Sequence, residues 1–210
     1  ETGIISIVKS ITKYSNQIRN PYKILYEIEK AIFIAKNGRP GPVLLDIPDD
    51  VQRMIIDEKK LIKFTPNKVS KKNVKNTSKV IDLINKSKRP TIIFGAGVNK
   101  YSEDKKILNF LNKTKIPFLT TWGAKSLLNN HKLNFGTFGT HGTRSGNFCV
   151  QNSDLLIVIG SRLSTRETGS PIKLFARDAK IIIVDIDIHE ISKFKKLKKK
   201  IFLSYNNDSL

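Results

Sequence analysis

Residues able to do chemistry gather in a few short loops that follow apolar runs. Gly95-Ala96-Gly97 comes directly after residues 91–94. Glycines in that place let the backbone approach a phosphate or a flat cofactor closely, and free amides there hold an anion. A full dinucleotide fingerprint needs a third glycine at position 100, where Lys100 stands. The loop therefore reads either as a ligand loop or as a plain strand-to-loop turn. Gly160-Ser161-Arg162 follows the run 154–159, with Arg166 four residues on. An arginine there pairs with a phosphate or stacks on a ring, or is simply a surface residue. Asp185-Ile186-Asp187 follows 181–184. A carboxylate at a strand end accepts hydrogen bonds from ribose hydroxyls, or it caps the turn starting near Ile188; we favour the ligand role for Asp185.

The segment 136–146 reads GTFGTHGTRSG, and Thr121-Trp122-Gly123 precedes it. Such glycine density means left-handed backbone or close approach to a flat ligand. His141 inside it either bonds a ligand or caps the turn. His141 has no second histidine or carboxylate at metal-ligand spacing, and His131 and His189 lie in other loops, so no metal site is expected. One cysteine, Cys149, excludes a cysteine zinc site and an intramolecular disulfide. Ser161 and Cys149 have no histidine in a recognised nucleophile–base arrangement. The chain reads as a cofactor-binding platform rather than a self-contained catalyst.

The elements that carry these loops follow from periodicity. Residues 22–36 place Ile24, Leu25, Ile28, Ala31, Ile32 and Ala35 at helical spacing, Gly38 ends that helix, and GRPGP leads into a short strand at 43–47. Periodicity is lost over 57–76, a Lys-, Asn- and Ser-rich stretch around Pro66 that reads as a linker. Beyond it, helices at 74–85, 104–111 and 144–151 alternate with strands at 91–94, 117–120, 154–159, 180–184 and 201–203. The strands are almost continuously apolar, as they are when both sheet faces are covered. That predicts an α/β class fold, a doubly wound parallel sheet. In such a sheet ligands lie beyond the carboxyl ends of the strands, where every loop above falls.

The chain has 210 residues, 39% of them hydrophobic, and a formal charge of +20. The composition excludes disordered and collagen-like classes. Apolar runs are strand-sized, far short of the roughly 20 residues of a membrane helix, so no membrane partner is expected. A basic balance points to nucleic acid or to compositional bias. Lysine outnumbers arginine, and the dense run KFKKLKKK at 193–200 reads as a solvated face, so bias is favoured and no nucleic-acid partner is expected. The chain begins with Glu1, and its first helix, turn and strand cannot enclose a core; it reads as a piece of a longer protein.

The segments VKSITKY (8–14) and GRPGPVLLDIPDDVQ (38–52) resemble the end of the first domain of thiamine-diphosphate-dependent enzymes of the acetolactate synthase type. KRPTIIFGAGV (88–98), FLTTWGAKSLL (118–128), 136–147, DLLIVIGSRLSTRETG (154–169) and DIDIHEI (185–191) resemble their central domain. The resemblance implies a Rossmann-like central domain at 73–210, a linker at 57–72, and the C-terminal part of the pyrimidine-binding domain at 1–56. It implies thiamine diphosphate and Mg2+ in the whole enzyme, with the catalytic glutamate and the diphosphate motif outside this chain, so the fragment alone is expected to be inactive. It implies FAD in a structural role, held by Arg39, Gly95, Ala96, Gly97, Thr121, Gly139, Thr140, His141, Gly142, Gly160, Ser161, Arg162, Arg166, Asp185 and Ile186; Arg39 is selected by the resemblance alone.

The reaction implied is decarboxylation of a 2-oxo acid such as pyruvate and transfer of the two-carbon unit to a second carbonyl, in branched-chain amino acid biosynthesis. A cytoplasmic homodimer or homotetramer with a regulatory subunit goes with it. Three departures mark this sequence: Arg162-Leu163-Ser164-Thr165-Arg166 replaces the usual Arg-Phe-Asp-Asp-Arg, Gly123 follows Trp122 without a methionine, and Pro48-Asp49-Asp50 replaces Pro-Lys-Asp. They resemble the surface-sugar carboligases of the same family and leave as an alternative a related carboligase or decarboxylase without FAD; the basic charge leaves a second, more remote one, a nucleic-acid-binding module.

Overall fold

The structure, a computed structural model, describes residues 3–66, 77–101, 105–192, 194 and 201–206. The chain forms two compact units, Glu1–Lys72 and Asn73–Asp208.

In the first unit α1 (Ile4–Val8) leads to β1 (Tyr14–Gln17), α2 (Ile24–Lys36), β2 (Val43–Asp46) and α3 (Asp49–Gln52). β1 and β2 are parallel, with Tyr14 opposite Val43 and Gln17 opposite Asp46. β1 has no apolar run to reveal it; its partner supplies the hydrogen bonds. Lys13 joins the elements: its Nζ donates to the carbonyls of Ile34 (2.6 Å), Asn37 (2.7 Å) and Arg39 (2.9 Å). A cation at the last carbonyls of α2 answers the negative end of the helix dipole.

The apolar stripe expected on α2 is split. Ala31 is buried, Ile28 and Ile32 are exposed, and the buried charged position is Glu27, at 7% exposure. Tyr14 on β1 donates its hydroxyl to Glu27 Oε2, which makes that burial tolerable. Of the expected linker, residues 57–66 lie on the first unit: Phe64 packs edge-on to Tyr26 with its amide donating to Glu29, and the Ile62 amide donates to the Tyr22 carbonyl. Residues 67–72 lie outside the described residues.

The second unit contains α4 (Thr77–Lys86), β3 (Pro90–Phe94), α5 (Lys105–Thr114), β4 (Phe118–Thr120), β5 (Asn134–Thr137), α6 (Arg144–Asn152), β6 (Leu155–Ile159), α7 (Thr165–Thr168), β7 (Lys180–Asp185), α8 (Ile188–Ser192) and β8 (Ile201–Asn206). Its six strands are all parallel, in the order β5-β4-β3-β6-β7-β8. Counted from β3, this is the 3-2-1-4-5-6 order of dinucleotide-binding sheets, with the direction of winding reversing between β3 and β6.

Alternation along the strands sends side chains to two cores. Ile93, Leu156, Val158, Ile181 and Ile183 face Val150 of α6 and Ile191 of α8. Ile92, Phe94, Leu155, Ile157 and Ile182 face Leu111 of α5, with Val80 and Leu83 of α4 packed alongside. Both faces are covered, as the continuous apolar runs require. Phe194, the one described residue of the basic run 193–200, is itself core at 2% exposure; the rest of that run lies outside the described residues. β5 is the strand of this sheet that sequence reading missed. Asn134-Phe135-Gly136-Thr137 has no apolar run, and its pairing with β4 makes it an edge strand.

Candidate functional site at the carboxyl edge

Because the strands are parallel, their carboxyl ends share one edge. Gly95–Gly97 leave β3, Thr121 leaves β4, the segment 138–142 leaves β5, Gly160–Arg162 leave β6, and Asp185–Ile186 close β7. Every candidate in the second unit is thus on this edge. Arg39 is not among them: it lies in the turn between α2 and β2 of the first unit, its carbonyl taken by Lys13.

At the reversal point β3 and β6 close on each other through glycine. The Gly95 amide donates to Ile159 O (2.8 Å), and the Gly97 amide donates to Gly160 O (3.0 Å). A Cβ on Gly95 would lie 2.1 Å from Gly160 O, and Gly160 itself has φ +63°. The two amides expected to be available to an anion are therefore committed within the protein. Small residues are still needed here, but for backbone packing as much as for a ligand. Ala96 and Gly97 remain exposed on the edge.

With those amides spent, positive charge comes from Arg162 and Arg166, both exposed. Their loop is built with care. Ser161, buried, accepts from the Leu163 amide (3.1 Å) and donates to Glu167 Oε2 (3.2 Å), and Glu167 also accepts from the Ser164 amide (2.9 Å) at the start of α7. Leu163 sits at φ +45°, a conformation costing roughly 1–2 kcal/mol for a side-chain-bearing residue. Its burial, at 2% exposure, offsets that cost and turns Arg162 outward. Sequence reading had Ser161 as a ligand contact; its hydroxyl is occupied in holding this turn.

The glycine stretch docks on the same loop. Gly139 has φ +95°, and a Cβ there would lie 2.6 Å from Arg166 O; the Thr140 amide and hydroxyl both donate to that carbonyl, at 2.8 and 2.6 Å. His141 neither caps the turn nor meets a carboxylate among the described contacts. It stacks on Trp122, with centroids 5.5 Å apart and planes 20° from parallel. Trp122 is 68% exposed, so the pair presents a flat aromatic face at the edge. Nothing local in the sequence links residues 122 and 141. At the end of β7, Asp185 Oδ1 accepts the Asp187 amide and Asp187 Oδ1 accepts the His189 amide, both at 2.9 Å. Asp187 thus has the capping role, and Asp185, half-buried, holds the turn that precedes it.

Strand order and edge loops together define the class, a doubly wound α/β domain of dinucleotide-binding architecture. Residues 77–205 match the thiamine pyrophosphate enzyme central domain, and the chain belongs to that family. It is 38% identical over 202–204 residues to relatives that include the acetolactate synthase large subunit of Corynebacterium glutamicum, where the match covers 94% of this chain and 32% of that protein. To acetolactate synthase 1, chloroplastic, of Nicotiana tabacum it is 34% identical over 202 residues, covering 93% of this chain and 30% of the relative. The chain spans about a third of the length of the curated relatives it matches. Among the described residues no cluster of three metal-ligating side chains occurs, and no helix is long and apolar enough to cross a membrane.

Proposed function

We propose that this chain is part of a thiamine-diphosphate-dependent carboligase of the acetolactate synthase type. The whole enzyme decarboxylates a 2-oxo acid, pyruvate in the simplest case, and passes the two-carbon unit to a second carbonyl. Thiamine diphosphate with Mg2+ supplies the electron sink for that chemistry and is held mostly outside this chain. The protein works as a homodimer or homotetramer in the cytoplasm, with a regulatory subunit as a further partner. Similarity to acetolactate synthases across more than nine-tenths of the chain supports this reading.

The part played by this segment is to hold FAD structurally along the carboxyl edge. The observation that carries it is the meeting of exposed small residues, Ala96 and Gly97, with two outward arginines and a strand-end carboxylate on one edge of a 3-2-1-4-5-6 sheet. The residues fit the group. Arg162 and Arg166 match a diphosphate, Asp185 matches ribose hydroxyls, and the Trp122–His141 pair gives a flat ring a surface. Arg39 is a candidate by the family resemblance alone.

The commitment of the Gly95 and Gly97 amides, with the altered 162–166 segment, favours a second reading in which the edge takes another adenine nucleotide. Purification of the intact protein separates the two. Retained or readily restored flavin absorbance supports FAD. A colourless protein that binds ADP, with no competition from FAD, selects the other. Absence of carboligase activity with thiamine diphosphate, Mg2+ and pyruvate overturns the activity itself.

A further inference from the structure

The second unit also has a cleft at the opposite edge of its sheet, where β3 and β4 begin. It is an open pocket of about 420 Å3 between the start of β3, the segment joining α5 to β4, and the last turn of α6. Three cations line it, Lys88, Arg89 and Lys115, all exposed, while its deeper wall holds Ile116 and the half-buried Pro90 and Pro117. No carboxylate lines the cleft, and none among the described residues pairs with these three. The neighbouring Asp154 has its oxygens occupied by the Ser87 hydroxyl and the amides of Lys88 and Arg89.

Other features narrow the ligand. Arg89 Nε donates to the Asn152 carbonyl (2.7 Å), which anchors the guanidinium beside the cleft. The buried hydroxyls satisfy one another: Ser153 Oγ lies 2.7 Å from Thr91 Oγ1 and 2.6 Å from the Cys149 carbonyl. The deep wall therefore has little to offer a polyhydroxylated molecule. Two helices, α5 and α6, end here, each presenting roughly half a negative charge. Three full cations outweigh them, so the outer part of the cleft stays positive.

We propose that this cleft binds a small organic anion: a carboxylate on a compact apolar body. The carboxylate sits among Lys88, Arg89 and Lys115, and the body lies against Pro90, Ile116 and Pro117. The proposal is independent of what the carboxyl edge holds.

Calorimetric titration of the intact protein with benzoate, benzamide and inorganic phosphate tests it. Benzoate should saturate one site per chain, with benzamide (no charge) and phosphate (no apolar body) each at least tenfold weaker. Lys88→Ala with Lys115→Ala, both at exposed positions, should weaken benzoate at least tenfold at an unchanged melting temperature. Lys88→Arg with Lys115→Arg should restore it, and Lys115→Gln alone should cost at least threefold. Equal binding of benzoate and benzamide, phosphate binding as tight as benzoate, or unchanged affinity in the double alanine and the Lys115→Gln variants would each overturn the assignment.

Discussion

A Cβ placed on Gly95 would stand 2.1 Å from the carbonyl oxygen of Gly160, so the two central strands of the sheet meet where neither backbone has room for a side chain. Gly95→Ala should cost about 3 kcal/mol, the upper part of the usual range for overpacking, because the obstruction is backbone and cannot rotate away. Gly97→Ala, whose nearest contact is 3.1 Å, should cost under about 1 kcal/mol and act more on ligand uptake. Denaturant unfolding of the two variants, run beside flavin or ADP titration, measures both; equal stabilities would contradict the packing argument.

Arg162→Ala and Asp185→Ala should each lower affinity for the nucleotide at the carboxyl edge by roughly tenfold, about 1.4 kcal/mol, the scale of one charge-assisted hydrogen bond. Ser161→Ala should act differently. Its hydroxyl supports the Leu163 turn, so stability should fall before affinity does. Flavin uptake by protein stripped of cofactor reads the first effect and thermal unfolding the second. Full affinity in both Arg162→Ala and Asp185→Ala would remove the edge from consideration.

Asp154 gives the second unit an acid sensitivity. Burial by itself raises this carboxyl, but hydrogen bonds from the Ser87 hydroxyl and the amides of Lys88 and Arg89 outweigh it and hold the group below its ordinary value. A depressed carboxyl contributes stability that is present above the unfolded value, near 4, and is lost as pH falls through the folded one. Asp154→Asn should flatten the dependence of stability on pH below about pH 4. Asp154→Ala should cost about 1 kcal/mol at neutral pH, the net worth of the lost hydrogen bonds, since the freed Lys88 and Arg89 amides are exposed to water.

The first unit should instead weaken in alkali. Tyr14 is raised above its ordinary value by burial and then by its bond to Glu27, and Lys30 is raised by its contact with Tyr14. Lys30 Nζ lies 4.6 Å from the centre of the Tyr14 ring. Groups raised by folding contribute stability that is complete below their unfolded values and disappears as pH rises through the folded ones, here above about pH 10. Tyr14→Phe should remove much of that alkaline loss. At neutral pH it should cost about 1–3 kcal/mol, since Glu27 is left buried without its donor. Circular dichroism against pH in wild type and Tyr14→Phe provides the measurement.

Much of the second unit was legible along the chain. Runs such as LLIVI at 155–159 and KIIIV at 180–184 state their own conformation, because a strand covered on both faces needs apolar residues without interruption. Parallel strands then place every following loop on one edge, so the position of the candidate site came with the fold class. β1 and β5 escaped: YSNQ and NFGT lack that signature and are strands only because β2 and β4 lie beside them.

Residue order alone thus determined the alternation of elements, the parallel sheet and the edge that carries the glycines, arginines and Asp185, since those follow from local periodicity and from side-chain chemistry. Only the tertiary structure decided what each group has left to give. The Gly95 and Gly97 amides are consumed by residues more than sixty positions away, Glu27 is buried because Tyr14 meets it, and His141 stacks on Trp122. The cationic cleft at the amino edge likewise assembles from three separated segments. Local sequence specifies a residue's charge and, in the apolar runs, its conformation; which hydrogen-bonding partners it keeps is settled by chain crossings that no local pattern records.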